Sequence, residues 1–294
     1  MNIQAICTEF PYFFPIVAFL FGACTGSFLN VCILRIPRGE SIVRPPSHCA
    51  CGKLIKWYDN IPILAWFFLR GKARCCGGKI SFRYPFVELL TAVLFCTVWM
   101  ILPMVNALVG MVFISILIFC TFVDIDTMEL PDIATVGGTA LGLILSAFLP
   151  DIHSARIEGV PFFASSIASI ICAITGIAVG SGILYWLRLS AEIIFRREAM
   201  GEGDVILVGL IGAFCGWKGA VFAIFGGSLI GAILILPILA VIKLFGGKKP
   251  SNPDTAPDAI PFGPWLALGG ALYYMFLKDF VDAYFASISA VLFN

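Results

Sequence analysis

Residues 105–123 read VNALVGMVFISILIFCTFV, without one charged side chain, and run directly into Asp124-Ile125-Asp126-Thr127-Met128-Glu129-Leu130-Pro131-Asp132. An apolar run of this length matches the roughly 20 residues that cross a bilayer core as a helix. Similar runs occupy 12–34, 84–102, 133–149, 162–187, 205–217, 219–242 and 264–289. The 294-residue chain is 60% apolar and 13% charged, with a mean hydropathy of +0.99. A soluble domain carries about a quarter charged residues. The sequence therefore predicts an all-α, polytopic membrane protein of about eight transmembrane helices, with a large loop after the first. The stretch 205–242 reads either as two elements turning at Gly216-Trp217-Lys218-Gly219 or as one bent helix.

The charges are segregated. Arg35, Arg38, Arg44, Lys53, Lys56, Arg70, Lys72, Arg74, Lys79 and Arg83 lie in the loop 35–83; Arg188, Arg196 and Arg197 lie in 188–203; Lys243, Lys248 and Lys249 lie in 243–263. With eight spans these loops share one side, which then holds 16 of the 19 basic residues. Only Arg156, Lys218 and Lys278 fall opposite. By the positive-inside rule the basic side is cytosolic and both termini face out. Asp124 and Asp204 then reach the same cytosolic boundary. Residues 1–24 lack the basic start of a signal peptide and read as part of a retained first span. The 243–263 loop, rich in Gly and Pro, reads as flexible. The 35–83 loop, with Trp57, Tyr58, Trp66, Phe67 and Phe68, carries enough apolar surface for a small folded or membrane-apposed subdomain. A net charge of +1 gives no reason to expect a nucleic-acid partner.

Carboxylates at a membrane boundary are costly and mark function by default. Two held together share a proton: the ionised one can activate water while the other donates to a scissile carbonyl. The plainer reading makes each an acid at a helix end, favoured by the dipole, and Asp132, opening a span after Pro131, suits it well. The residues alone leave both readings open. Of 11 cysteines, Cys49, Cys51, Cys75 and Cys76 cluster in the 35–83 loop, where tetrahedral zinc is the chemistry that thiolate pairs suggest. Their spacing is irregular, and His48 offers a substitute ligand. Gly26-Ser27-Phe28-Leu29-Asn30-Val31 reads as a packing seam with one satisfied Asn. His153 reads as outer surface.

Taken together, these segments resemble the bacterial type IV prepilin peptidases, membrane aspartyl proteases of the Gly-x-Gly-Asp type. Matching motifs run in order: Gly26–Val31; Trp57-Tyr58-Asp59-Asn60-Ile61-Pro62; Arg83-Tyr84-Pro85-Phe86-Val87-Glu88-Leu89-Leu90-Thr91-Ala92; Asp124–Asp132; Gly201-Glu202-Gly203-Asp204; and Pro261-Phe262-Gly263-Pro264-Trp265-Leu266-Ala267-Leu268-Gly269-Gly270. The resemblance implies a catalytic pair, Asp124 and Asp204, with Asp126 the neighbour not chosen. It implies cleavage of a basic leader from prepilins or pseudopilins at the cytosolic face of the inner membrane. It also implies N-methylation of the new terminus with S-adenosylmethionine.

Three departures stand out. Cys49-Ala50-Cys51 is one residue short of the family's Cys-x-x-Cys, Ala73 takes the place of a second-pair cysteine, and Val205-Ile206 follows Asp204 where x-Lys is common. The two cysteine departures put zinc, and with it the methylation step, in question; the missing lysine removes a cation that would favour ionised Asp204, which the aspartate pair does not require. The acids Asp126, Glu129, Asp132 and Glu202 are the candidates for holding the leader's basic residues. The expected organisation is a first helix over 1–34, the cysteine-containing loop over 35–83, associated with methylation, and a peptidase core over 84–294. Two competing readings are a non-cleaving, prepilin-binding homologue and a transporter relaying protons through its carboxylates.

Overall fold

The computed structural model describes residues 10, 12–49, 51–156, 159–196, 200–244 and 261–293. The helices are α1 (Phe13–Arg35), α2 (Leu64–Phe68), α3 (Arg83–Ile101), α4 (Met104–Thr127), α5 (Asp132–Phe148), α6 (Phe162–Phe195), α7 (Glu202–Leu244), α8 (Gly263–Leu272) and α9 (Lys278–Phe293), the last two joined by a π-helical turn over Tyr273–Leu277. Extended pairing among the described residues is confined to two isolated bridges, His48 with Leu54 and Lys72 with Lys79. Five stretches are long and apolar enough to cross a membrane: Phe13–Arg38, Arg83–Ile101, Met104–Thr127, Phe162–Phe195 and Glu202–Pro237. Asp132–Phe148 is apolar but shorter. The all-α, polytopic expectation holds. Most of the 243–263 loop and residues 1–9, which entered the readings of flexibility and of the N-terminus, lie outside the described residues.

The chain divides into two compact units, Met1–Phe119 and Cys120–Asn294. In the first, α1 packs on α3 through residues spaced four apart. A Cβ at Gly22 would lie 2.7 Å from Ala92 Cα, and one at Gly26 would lie 2.7 Å from Glu88 Cα. One turn on, the Asn30 amide donates to the Tyr84 carbonyl at 3.0 Å. Small residues on one helix stripe are what allow backbones this close in a membrane, so the seam read from Gly26–Val31 is present. The connection from α1 to α3 is pinned by side chains rather than by regular structure. The Trp66 indole donates to the Ile80 carbonyl at 3.1 Å, and Arg74 pairs with Asp59 at 2.9 Å.

In the second unit the question over 205–242 is resolved by α7. Gly216 has φ 70° and ψ −178°, outside helical geometry. A Cβ at Gly180 would touch both Val208 Cγ1 (2.8 Å) and Ala220 Cβ (2.7 Å). An unbroken helix would hold those two residues about 18 Å apart along its axis. The chain therefore reverses at Gly216, giving two antiparallel elements, 202–215 and 217–244. Left-handed φ without a Cβ penalty is why glycine occupies the turn.

The ends of this unit differ. At one end lie the α4–α5 turn and the N-termini of α7 and α8. At the other, Lys278 donates to the Ile152 carbonyl (2.9 Å) and Ser154 Oγ (3.0 Å), Lys218 pairs with Asp282, and Arg156 pairs with Asp151. The three basic residues assigned to the minority side thus gather at one end. This corrects two expectations. The last apolar stretch does not run as one uninterrupted span over 264–289, because its charged midpoint Lys278 sits in the polar end. His153 is not plain surface: its ring meets the fully buried Ser146 hydroxyl at 3.1 Å. Burial, and then the nearby Lys278 cation, push its imidazole down to about 4.

Candidate active site

Asp124 occupies the last turn of α4, whose carbonyl receives the Met128 N–H at 2.9 Å. Met128 ends the helix in left-handed geometry (φ 58°), and Pro131, extended at φ −65° and ψ 130°, starts α5. That tight exit turns Leu130 back toward Gly203, where a Cβ would fall 2.9 Å from Leu130 Cβ. Glycine at this position is what lets the Asp124–Asp132 segment rest against the start of α7.

Asp204 sits in the first turn of α7 and takes a hydrogen bond from the Gly201 backbone N–H. This is the returning half of a capping box. The Asp124 Oδ2 accepts the Gly263 N–H, the first residue of α8, at 3.0 Å. A Cβ on Gly263 would lie 2.6 Å from that oxygen. Each carboxyl group is thus aimed by one backbone N–H at the N-terminus of a helix. Both side chains are buried, Asp124 at 5% and Asp204 at 7% exposure, and the two lie within electrostatic reach of one another. The two acids, 80 residues apart in sequence, are thus both buried at helix ends, and the charge of Asp124 is felt at Asp204.

The other acids are arranged differently. Asp126, Glu129 and Asp132 are exposed, Asp132 as the first helical residue of α5. Glu202, with its side chain 81% exposed, pairs with Arg188 at 3.1 Å, and Arg188 also holds Glu192 at 2.8 Å. Gly263 and Leu130 are the site residues that sequence reasoning did not single out. For Gly263 the sequence signal is its place between Phe262 and Pro264 in the Pro261–Gly270 motif.

The cysteines form a separate site in the first unit. Cys49 and Cys76 Sγ are 3.5 Å apart and Cys51 and Cys75 Sγ 3.4 Å apart. All four sulfurs lie within 4.8 Å of one another. A tetrahedral ion with bonds of about 2.3 Å to sulfur sets its ligands about 3.8 Å apart, so this all-thiol set fits a metal. His48 instead has its Nδ1 3.0 Å from the Pro46 carbonyl. The thiols perturb one another: the Cys51 backbone N–H and the neighbouring thiols bring Cys49 down to about 7, while Cys49 and Cys51 push Cys75 up to about 12.

Residues 20–102 match the model of the bacterial peptidase A24 N-terminal domain, and residues 111–236 match that of the type IV leader peptidase family. A prepilin leader peptidase/N-methyltransferase of Myxococcus xanthus is 38% identical over 256 residues, 85% of this chain and 72% of the relative. A type 4 prepilin-like proteins leader peptide-processing enzyme of Escherichia coli is 34% identical over 282 residues, 89% of this chain and 94% of the relative. A prepilin leader peptidase/N-methyltransferase of Xanthomonas campestris is 33% identical over 297 residues, covering 92% and 94% of the two chains. No solved structure matches the chain. The two family matches and these relatives converge with the ordered motifs: the chain belongs to the type IV leader peptidase family.

Proposed function

We propose that this protein removes the short basic leader of type IV prepilins or of type II secretion pseudopilins, using Asp124 and Asp204, and then methylates the new α-amine with S-adenosylmethionine. The observation that carries the reading is the pair of buried carboxyl groups in electrostatic reach, each aimed by a helix-terminal N–H. Holding one proton between them, the ionised member takes a proton from water as the oxygen attacks the scissile carbonyl carbon. The protonated member donates to the carbonyl oxygen. Collapse of the tetrahedral intermediate breaks the C–N bond, and a proton passes to the leaving amine. The low dielectric of a buried site strengthens each of these interactions.

The basic bias of the loops supports a site facing the cytosol from the inner membrane. Asp126, Glu129, Asp132 and Glu202 would hold the leader's Lys or Arg. Arg188 competes for Glu202 only weakly, since exposed ion pairs contribute about 0–1 kcal/mol. Cys49, Cys51, Cys75 and Cys76 would hold zinc as a structural tie across the loop between α1 and α3.

Incubating the purified full-length protein with a prepilin and S-adenosylmethionine, and weighing the product, tests both halves. The product should have lost its leader and gained one methyl group. An unprocessed substrate would overturn the reading, and a processed but unmethylated one would overturn its second half.

A further inference from the structure

A cavity of about 1300 Å³ opens in the first unit between α1, α3 and the intervening connection. Sites for drug-sized ligands run from about 300 to 1,000 Å³, so this one can take a nucleoside-sized donor and a second reactant together. Its walls contain three carboxylates, Glu40, Asp59 and Glu88. Glu40 is exposed, and Asp59 is occupied by Arg74 at 2.9 Å. Glu88 is different. It is 9% exposed, and among the described residues no cation pairs with it.

What holds Glu88 is unusual. Its Oε2 accepts the Ile63 N–H at 2.6 Å, and the Ser27 side chain supplies a second hydrogen bond. Ile63 has φ 65° and ψ −56°, a left-hand conformation that a β-branched residue adopts only under constraint. The Leu64 N–H bonds back to the Pro62 carbonyl at 2.6 Å, closing the rare, strained form of γ-turn. Behind the carboxylate, Gly26 brings α1 against Glu88 Cα. A strained turn, a hydroxyl and a glycine seam therefore fix one buried anion at the edge of a cavity. A buried charge without a counter-ion is costly unless a ligand supplies one.

We propose that Glu88 seats the α-amine that is to be methylated. This rests on the methyltransferase half of the function proposed above. Glu88 lies five residues into α3, about 7.5 Å along the helix from Arg83. An ammonium donates hydrogen bonds to a carboxylate, which has further lone pairs to accept them, whereas a sulfonium has no N–H or O–H to donate, so the amine is the better match to Glu88. In the transfer, Glu88 first accepts a proton from the ammonium and passes it to water. The nitrogen lone pair then forms a bond to the sulfonium methyl carbon. The S–CH3 bond breaks with its electrons left on sulfur, releasing the neutral thioether, and the new methylammonium keeps its two remaining protons on nitrogen.

The test compares wild type with Glu88→Gln, which keeps an acceptor for the Ile63 N–H and removes the charge. Four readouts are taken on the full-length protein: binding of a peptide matching a processed pilin N-terminus, with its amine free or acetylated; binding of S-adenosylmethionine and S-adenosylhomocysteine; methyl transfer; and leader cleavage. Wild type should prefer the free amine by about 10- to 100-fold, the range of a hydrogen bond to a charged group. In Glu88→Gln that preference should vanish and methyl transfer should fall as far, while donor binding and cleavage persist. Equal binding of free and acetylated peptide by wild type would overturn the proposal without recourse to any variant. So would undiminished methylation by Glu88→Gln, or a selective loss of S-adenosylmethionine over its thioether, which would assign Glu88 to the sulfonium. Failure of wild type to bind either donor form would instead sink the methyltransferase reading itself, and this proposal with it.

Discussion

Replacing Gly263 by Ala should disable cleavage without unfolding the protein. The added Cβ would lie 2.6 Å from Asp124 Oδ2 and 3.1 Å from its Cγ, where ordinary contact begins near 3.4 Å. The shortfall of 0.8 Å (3.4 − 2.6) is met either by moving the start of α8 or by rotating the carboxyl group. Both stretch the 3.0 Å hydrogen bond from the Gly263 N–H. A misplacement of about 1 Å can cost about 100-fold in rate, and losing a hydrogen bond to a charged group costs about 1.5–3 kcal/mol, roughly 10- to 150-fold. We expect kcat/KM for leader removal, followed by mass spectrometry in detergent, to fall about 100-fold. Gly201→Ala is the matched control. Its Cβ would come no closer than 3.9 Å to Asp204 Oδ2, so cleavage should stay within a few-fold of wild type. Near-normal cleavage by Gly263→Ala, or an equal loss in Gly201→Ala, would refute this reasoning.

Gly203→Ala should also cut activity sharply, because its Cβ would press to 2.9 Å from Leu130 Cβ; normal kinetics would show that the two segments need not touch. The four-cysteine cluster should bind one metal ion per chain and lose it in Cys51→Ser, as read by elemental analysis. Because ligation needs thiolates and Cys75 stays protonated up to about 12, loading near neutral pH must release protons and must weaken as pH falls. Metal uptake without acidification would contradict this. Folding holds His153 neutral down to about 4, against about 6.5 for a free imidazole. The unfolded chain therefore binds the extra proton in that window, and stability should fall by up to about 3 kcal/mol as pH drops from about 6.5 to about 4. His153→Gln should flatten that part of the unfolding midpoint-versus-pH curve, and an unchanged slope would rule the titration out.

What could be read in the sequence was whatever is written locally. Uninterrupted apolar runs announced the spans, and the acids ending one run and beginning another announced the site. Contacts made across long separations left no such trace. Gly263 reaches Asp124 over 139 positions, and nothing near either residue encodes that distance. His153 looked like surface because burial of one polar residue in a turn has no periodicity to reveal it. The cysteines misled in the other direction. Their spacing is irregular, but Gly52 and Gly77, at φ 82° and 69°, tighten the two turns enough to bring four sulfurs together. Pairing distance depends on turn geometry, which counting residues between cysteines does not capture.

The central claim is that Asp124 and Asp204 act as one catalytic unit. The most direct measurement is the leader-cleavage rate of Asp124→Asn and Asp204→Asn, each shown to be folded by its thermal unfolding midpoint. Because neither acid can both activate water and protonate the carbonyl alone, each single variant should lose cleavage nearly completely, and the double variant should be no worse than either. Cleavage by either single variant at the wild-type rate would contradict the account.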